Sequence, residues 1–164
     1  MPKLLLPLIL LVLAGVAMSA YTVDEREKVL LFSLGEIKGA DLEPGLHFKV
    51  PIVNNVKKFD ARILTLDARP ERFLTSEKKN VTVDFFVKWR IADISQYYRS
   101  TRGQERAAQS RLSQIIKDGL RNEFAKRTIQ EAVSGERQEI MQAINESSNE
   151  LAAELGIDVV DVRI

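Results

Sequence analysis

His47 is the sole histidine of the 164-residue chain, and cysteine is absent, so the chemistry open to these residues is narrow. A Ser-His-Asp arrangement would have to be built on His47. That residue stands in the alternating segment Leu46-His47-Phe48, directly after Glu43-Pro44-Gly45, whose Pro-Gly pair suits the centre of a type II turn. A histidine in this position is expected to bond locally to its own turn. With no second imidazole and no thiol, a zinc site would need carboxylates alone, and disulfides and thiolate nucleophiles are excluded. A Ser-Lys pair needs no histidine, but no serine stands in a G-x-S-x-G elbow. The 8 glycines form neither G-x-G-x-x-G nor G-x-x-x-x-G-K-[ST], which argues against a nucleotide cradle. The carboxylates scatter among Lys and Arg on helical segments, the pattern of a solvated face. Asn80-Val81-Thr82 and Asn145-Glu146-Ser147 are glycosylation triplets of a kind that arises readily by chance. The expectation is a chain with no catalytic, cofactor-binding or metal-binding residue, hence no cofactor.

Two segments suit binding better than catalysis. Leu46, Phe48, Val50 and Ile52 lie in a Pro-bracketed segment that could dip into a lipid interface or pack on a neighbouring subunit, with Leu46, Phe48 and Val50 the candidates for membrane-proximal contact. The stretch from Arg137 to about Glu154 carries a narrow apolar stripe, Ile140, Ile144, Leu151 and Leu155. With Arg137 at its start, that stripe is a candidate subunit interface, because a narrow stripe can form a seam between helices. Ordinary burial in the subunit's own core competes with both readings.

The elements that must hold these residues change character midway. Val29 to Leu34 is a short apolar run ending at Gly35, a strand followed by a turn. Leu46 to Val50 alternates until Pro51, and Phe59 to Asp67 reads as a further extended segment. From Val81 to Ile91, the residues Val81, Val83, Phe85, Val87, Trp89 and Ile91 fall on one face, predicting a strand with one buried side. Ser76 to Asn80 is the polar loop joining it to Phe73-Leu74-Thr75 as an antiparallel hairpin. Beyond this the period lengthens. Ala108, Leu112, Ile115, Ile116, Leu120 and Phe124 predict an amphipathic helix over about 104–126, and a second helix is expected over about 136–154. Gly156 supplies a cap, and Ile157 to Ile164 returns to strand composition. Strands, then helices, then a strand predict an α+β domain with an antiparallel sheet and helices packed on one face.

The first residues set the location. From Leu4 to Val23 no side chain is charged. At about 1.5 Å per residue, roughly 20 helical residues span the ~30 Å of a bilayer's hydrocarbon. Residues 1–23 are therefore expected to be a transmembrane anchor and residues 24–164 one globular domain. A cleaved signal peptide is the competing reading, since Ala17-Met18-Ser19 offers small residues at the needed spacing; the apolar run is longer than the usual signal core. A short N-terminus ahead of a single span leans towards a domain on the non-cytoplasmic side, although basic residues are few on both flanks. With 24 basic and 23 acidic residues, no strong field favours nucleic acid as a partner.

These segments also carry a resemblance. Phe32-Ser33-Leu34-Gly35-Glu36, Leu42 to Pro51 and Phe59 to Asp67 together resemble the SPFH, or band 7, superfamily of stomatins, prohibitins, flotillins and the HflK-HflC proteins. Asp60-Ala61-Arg62-Ile63, Arg72 to Lys79, Val87-Lys88-Trp89-Arg90-Ile91 and Leu155 to Ile164 look most like the HflC branch. The likeness covers nearly the whole sequence. It implies an N-terminal transmembrane helix followed by an SPFH domain in the periplasm, held on the bacterial inner membrane by a single pass. It also implies partnership with HflK, and with other copies of itself, in a ring or cage. That cage would enclose and regulate the ATP-dependent membrane protease FtsH, a scaffolding role in membrane-protein quality control and not an enzymatic one. The branch also has a long helical coiled coil after the final strand. The sequence stops at Ile164, so either these residues are a piece of a longer chain or the variant lacks that arm. Two other classes stay open on the residues alone: a membrane-bound serine peptidase using a Ser-Lys pair, and a secreted binding domain freed by signal cleavage.

Overall fold

The computed structural model describes residues 19–51, 53–134 and 137–164. The chain divides between Ala61 and Arg62 into two compact units.

The first unit is built of short antiparallel strands. β1 (Ala20–Val23) pairs with β4 (Gly45–Phe48), in the register Ala20 to Phe48 and Thr22 to Leu46. β2 (Glu27–Ser33) is flanked by β3 (Glu36–Ala40) and β5 (Asn54–Asp60), a three-stranded sheet of order β3-β2-β5. Val29, Leu30 and Phe32 of the central strand are buried, as expected of an apolar run with a partner on both edges. The expected anchor over Leu4 to Val23 lies outside the described residues as far as 18. Its last four residues form β1 instead of helix, because Ala20–Val23 finds backbone partners on β4. Among the described residues no helix is long and apolar enough to cross a membrane.

The second unit holds the helices. β6 (Leu64–Asp67), β9 (Phe86–Ile91) and β10 (Ile157–Arg163) form an antiparallel sheet of order β10-β9-β6, and β7 (Glu71–Leu74) pairs with β8 (Asn80–Val83) as a hairpin. Val87, Trp89 and Ile91 of β9 and Val159 and Val162 of β10 are buried on one face. α1 (Ile94–Thr101), α2 (Glu105–Lys126), α3 (Ile129–Ser134) and α4 (Arg137–Ala153) follow, with α4 packed on β10 and on α2. α2 buries Ala108, Leu112, Ile116, Leu120 and Phe124, a strict row four residues apart, so each side chain stacks above the last on one helix face. The α+β mixture is as read from the sequence, but the strands are distributed over four small sheets.

Two long extended readings break. Phe59 to Asp67 is interrupted between β5 and β6, and Val81 to Ile91 between β8 and β9. Asp84 and Phe85 leave the ladder, so β8 pairs with β7 while β9 pairs with β6 and β10. Phe85 nevertheless stays buried in phase with Val87 and Trp89.

α1 was not anticipated. Asp93 caps it, its carboxylate accepting from the Ser95 and Gln96 amides at 2.8 and 3.0 Å, and Ile94, Tyr97 and Thr101 fasten it to the core. The turn after α4 receives it: the Gly156 carbonyl accepts from the Ala92 and Asp93 amides.

Candidate membrane-facing and assembly surfaces

β4 positions the first candidate set by simple alternation. Gly45, His47 and Lys49 turn partly inward, while Leu46, Phe48 and Val50 are 63%, 64% and 58% exposed. Three large apolar side chains in a row on the water side cost free energy unless something covers them, at ~25 cal/mol per Å² of apolar surface. The inward side is well held. His47 Nε2 lies 2.7 Å from the Glu43 carbonyl, and its ring stacks on Tyr21 at 5.7 Å between centroids. Burial pushes the Tyr21 hydroxyl above its ordinary pKa. His47 is thus a turn-bonded residue, in keeping with its place beside Pro44-Gly45.

The exposed strip lies where the apolar N-terminal segment joins the unit. Lys49 donates its amide to the Ser19 carbonyl at 2.8 Å, and the Ser19 hydroxyl donates to the Lys49 carbonyl. Two more apolar residues, which the sequence reading missed, extend the surface. Leu34 sits 86% exposed in the β2–β3 turn with φ of 53°. Its amide donates to the Val53 carbonyl, and the Asn54 amide donates to that of Val50, so Leu34, Val50 and Val53 occupy adjoining turns. The missed signal was Leu34-Gly35 itself: a large apolar residue at a hairpin tip, where a small polar one is usual.

The second candidate set divides. Ile140 and Ile144 are fully buried and face α2 and β10, so the expected subunit seam is core at these two positions; a side chain with no exposed surface cannot meet a partner. The row they belong to continues through Ser148 and Ala152. Gly119 of α2 comes close there, a Cβ at that position lying 3.5 Å from Ser148 Oγ and 3.6 Å from Ile144. Arg137 is exposed, and Leu151, 51% exposed, stands off the buried row. The rest of the exposed face of α4 is polar and mixed: Gln138, Gln142 and Ser147 alternate with Glu139, Glu146 and Glu150.

Among the described residues, no three of His, Asp and Glu assemble as a metal site. The Ser19, Ser100 and Ser147 hydroxyls donate to backbone carbonyls.

The SPFH domain / Band 7 family model matches residues 21–164. The chain belongs to that family. Within it the likeness is to HflC proteins. The chain is 42% identical to Protein HflC of Haemophilus influenzae over 174 aligned residues, covering 100% of this chain and 59% of the relative. It is 41% identical to Protein HflC of Vibrio cholerae, covering 99% and 52% respectively. Against the Modulator of FtsH protease HflC of Escherichia coli K12 the identity is 35%, with 91% and 47% covered. The chain spans about half the length of the curated relatives it matches.

Proposed function

We propose that this chain is a membrane-anchored, non-enzymatic scaffold subunit that modulates a membrane protease. It would be held in the bacterial inner membrane by the apolar segment from Leu4, with its domain in the periplasm. There it associates laterally with HflK and with copies of itself into a large complex that encloses FtsH and restricts which membrane proteins reach it. The name of the Escherichia coli relative supports FtsH as the regulated protease. One observation supports the membrane placement: Leu46 and Phe48 on β4 and Val50 just beyond it stand exposed, flanking Lys49, whose amide bonds the residue through which the apolar segment enters. On this reading the strip rests in the lipid interface, and Leu34 and Val53 lie in it too.

The test is affinity capture of the tagged full chain from detergent-solubilised membranes. Retention of FtsH and HflK is the expected result. Capture of the chain without either, at native expression levels, contradicts the proposal.

A further inference from the structure

The seam between α4 and β10 is stitched at one end and open at the other. Asn149 Oδ1 accepts the Val159 amide at 3.0 Å, and its Nδ2 donates to Asp158 Oδ1 at 3.4 Å. The Val159 N–H therefore points away from β9, towards the edge of β10 that no strand pairs among the described residues. Asn145 stands one turn earlier on the same helix face. Its Oδ1 is buried and has no hydrogen-bond partner among the described residues. Leaving a buried amide oxygen without a donor is costly, and such atoms are rare enough in folded proteins that each needs a reason.

Asn145 belongs to the lining of a groove of about 240 Å³, with Gln138, Met141, Gln142, Asp161 and Arg163. These residues come from the first half of α4 and the second half of β10, so the groove opens along the unpaired edge. A bulge between Val159 and Asp161 bends the strand where the groove begins. The lining also selects the occupant. Asp161 and Arg163 pair with each other at 2.7 Å, so the two charged residues cancel and nothing there favours an ion, a charged tail or nucleic acid. What the groove offers is side-chain amides beside the main chain of an edge strand, the groups that a neutral extended backbone satisfies. We propose that this groove takes an extended segment of another protein in the membrane complex. The segment adds to the free edge of β10 as a further strand and donates one main-chain N–H to Asn145 Oδ1, as the Val159 N–H does to Asn149. Asp161 and Arg163 guard the same edge against indiscriminate pairing. The contact is heterologous, a groove on this chain and a strand on its partner, so it does not close on itself. It rests on the association proposed above and names where one partner is held.

The test is hydrogen exchange on the full chain in mild detergent, alone and in the complex captured after co-expression with HflK and FtsH. Amides from Val160 to Ile164 should exchange at least about tenfold more slowly in the complex. Asn145→Leu removes the acceptor and keeps the size, so it should abolish that slowing. It should leave the melting temperature of the free chain unchanged or higher, because the atom it removes is buried without a partner. The chain has no cysteine, so Gln142→Cys gives a single thiol at the groove for a photo-crosslinker, which should join one contiguous segment of a co-expressed partner. A complex whose β10 amides exchange as fast as in the free chain leaves the groove to water and overturns the strand addition, but not the association. Slowing that survives Asn145→Leu, a lowered melting temperature of that variant, or crosslinks scattered over many segments overturns it as well. If no complex forms, the association itself falls, and the strand addition with it.

Discussion

At the scale of single residues, the conflicts between local stability and exposure locate function. Leu34 combines a left-handed backbone with near-complete exposure, a conformation that costs a branched L-residue about 1 kcal/mol and that asparagine tolerates. Leu34→Asn is therefore expected to raise the unfolding midpoint in urea while weakening contact with lipid. That contact can be read by placing tryptophan at Phe48. In vesicles of brominated lipid, the Phe48→Trp chain should lose fluorescence that the unaltered protein, whose Trp89 is buried, keeps. No added quenching would remove Phe48 from the interface, and Leu34→Asn should reduce the quenching if its turn shares that surface. Gly156 is the opposite kind of residue, fixed by packing. Its φ is 73°, and a Cβ there would overlap the Asp93 carbonyl oxygen and lie 2.5 Å from the Tyr97 nitrogen. Gly156→Ala should cost at least ~2 kcal/mol in a thermal or urea melt, since α1 and the turn after α4 cannot both keep their places.

At the scale of elements, the helices separate core from surface. Ile144→Ala is expected to destabilise the chain by about 2–5 kcal/mol, and Leu151→Ala by no more than ~0.5 kcal/mol. Equal losses would put Leu151 back in the buried row. α3 begins with a capping box: the Thr128 amide donates to Glu131 Oε2 at 2.8 Å, and the Glu131 amide donates to Thr128 Oγ1 at 3.3 Å. The Thr128 amide, then its hydroxyl, holds the Glu131 carboxyl below its ordinary pKa. A depressed carboxylate stabilises the fold above its unfolded pKa, and that contribution fades as pH falls through the folded value. Thr128→Val, which removes the hydroxyl and keeps the amide, should move the Glu131 titration upward by NMR, and an unchanged titration would show that the hydroxyl takes no part in holding the carboxylate. Much of this level was legible in the sequence. The long row on α2 and the hairpin of β7 and β8 followed from spacing alone. The break at Asp84–Phe85 did not, because side-chain alternation persists through an extended residue even when its backbone leaves the ladder. α1 escaped notice because eight residues give only two turns of periodicity. Leu151 was placed in the wrong row because the stripe was traced through large apolar residues. Where α2 approaches closely at Gly119, the true row holds Ser148 and Ala152.

At the scale of the whole molecule, surfaces matter more than any site. An apolar strip lies next to the residue through which a long apolar segment enters. The proposed scaffold needs such a hold on the bilayer, which this strip would supply. The sequence made the strip visible through alternation between two prolines. It could not show that Leu34 and Val53 join it, since their proximity depends on the pairing of β2 with β5. The claim on which the account turns is that copies are retained in the membrane and build a large assembly there. The most direct measurement is the native mass of the full chain, released from membranes in mild detergent after co-expression with HflK. The account predicts a multi-subunit species holding both proteins, with none of the chain in the aqueous extract; a freely dispersed monomer in that extract would contradict it.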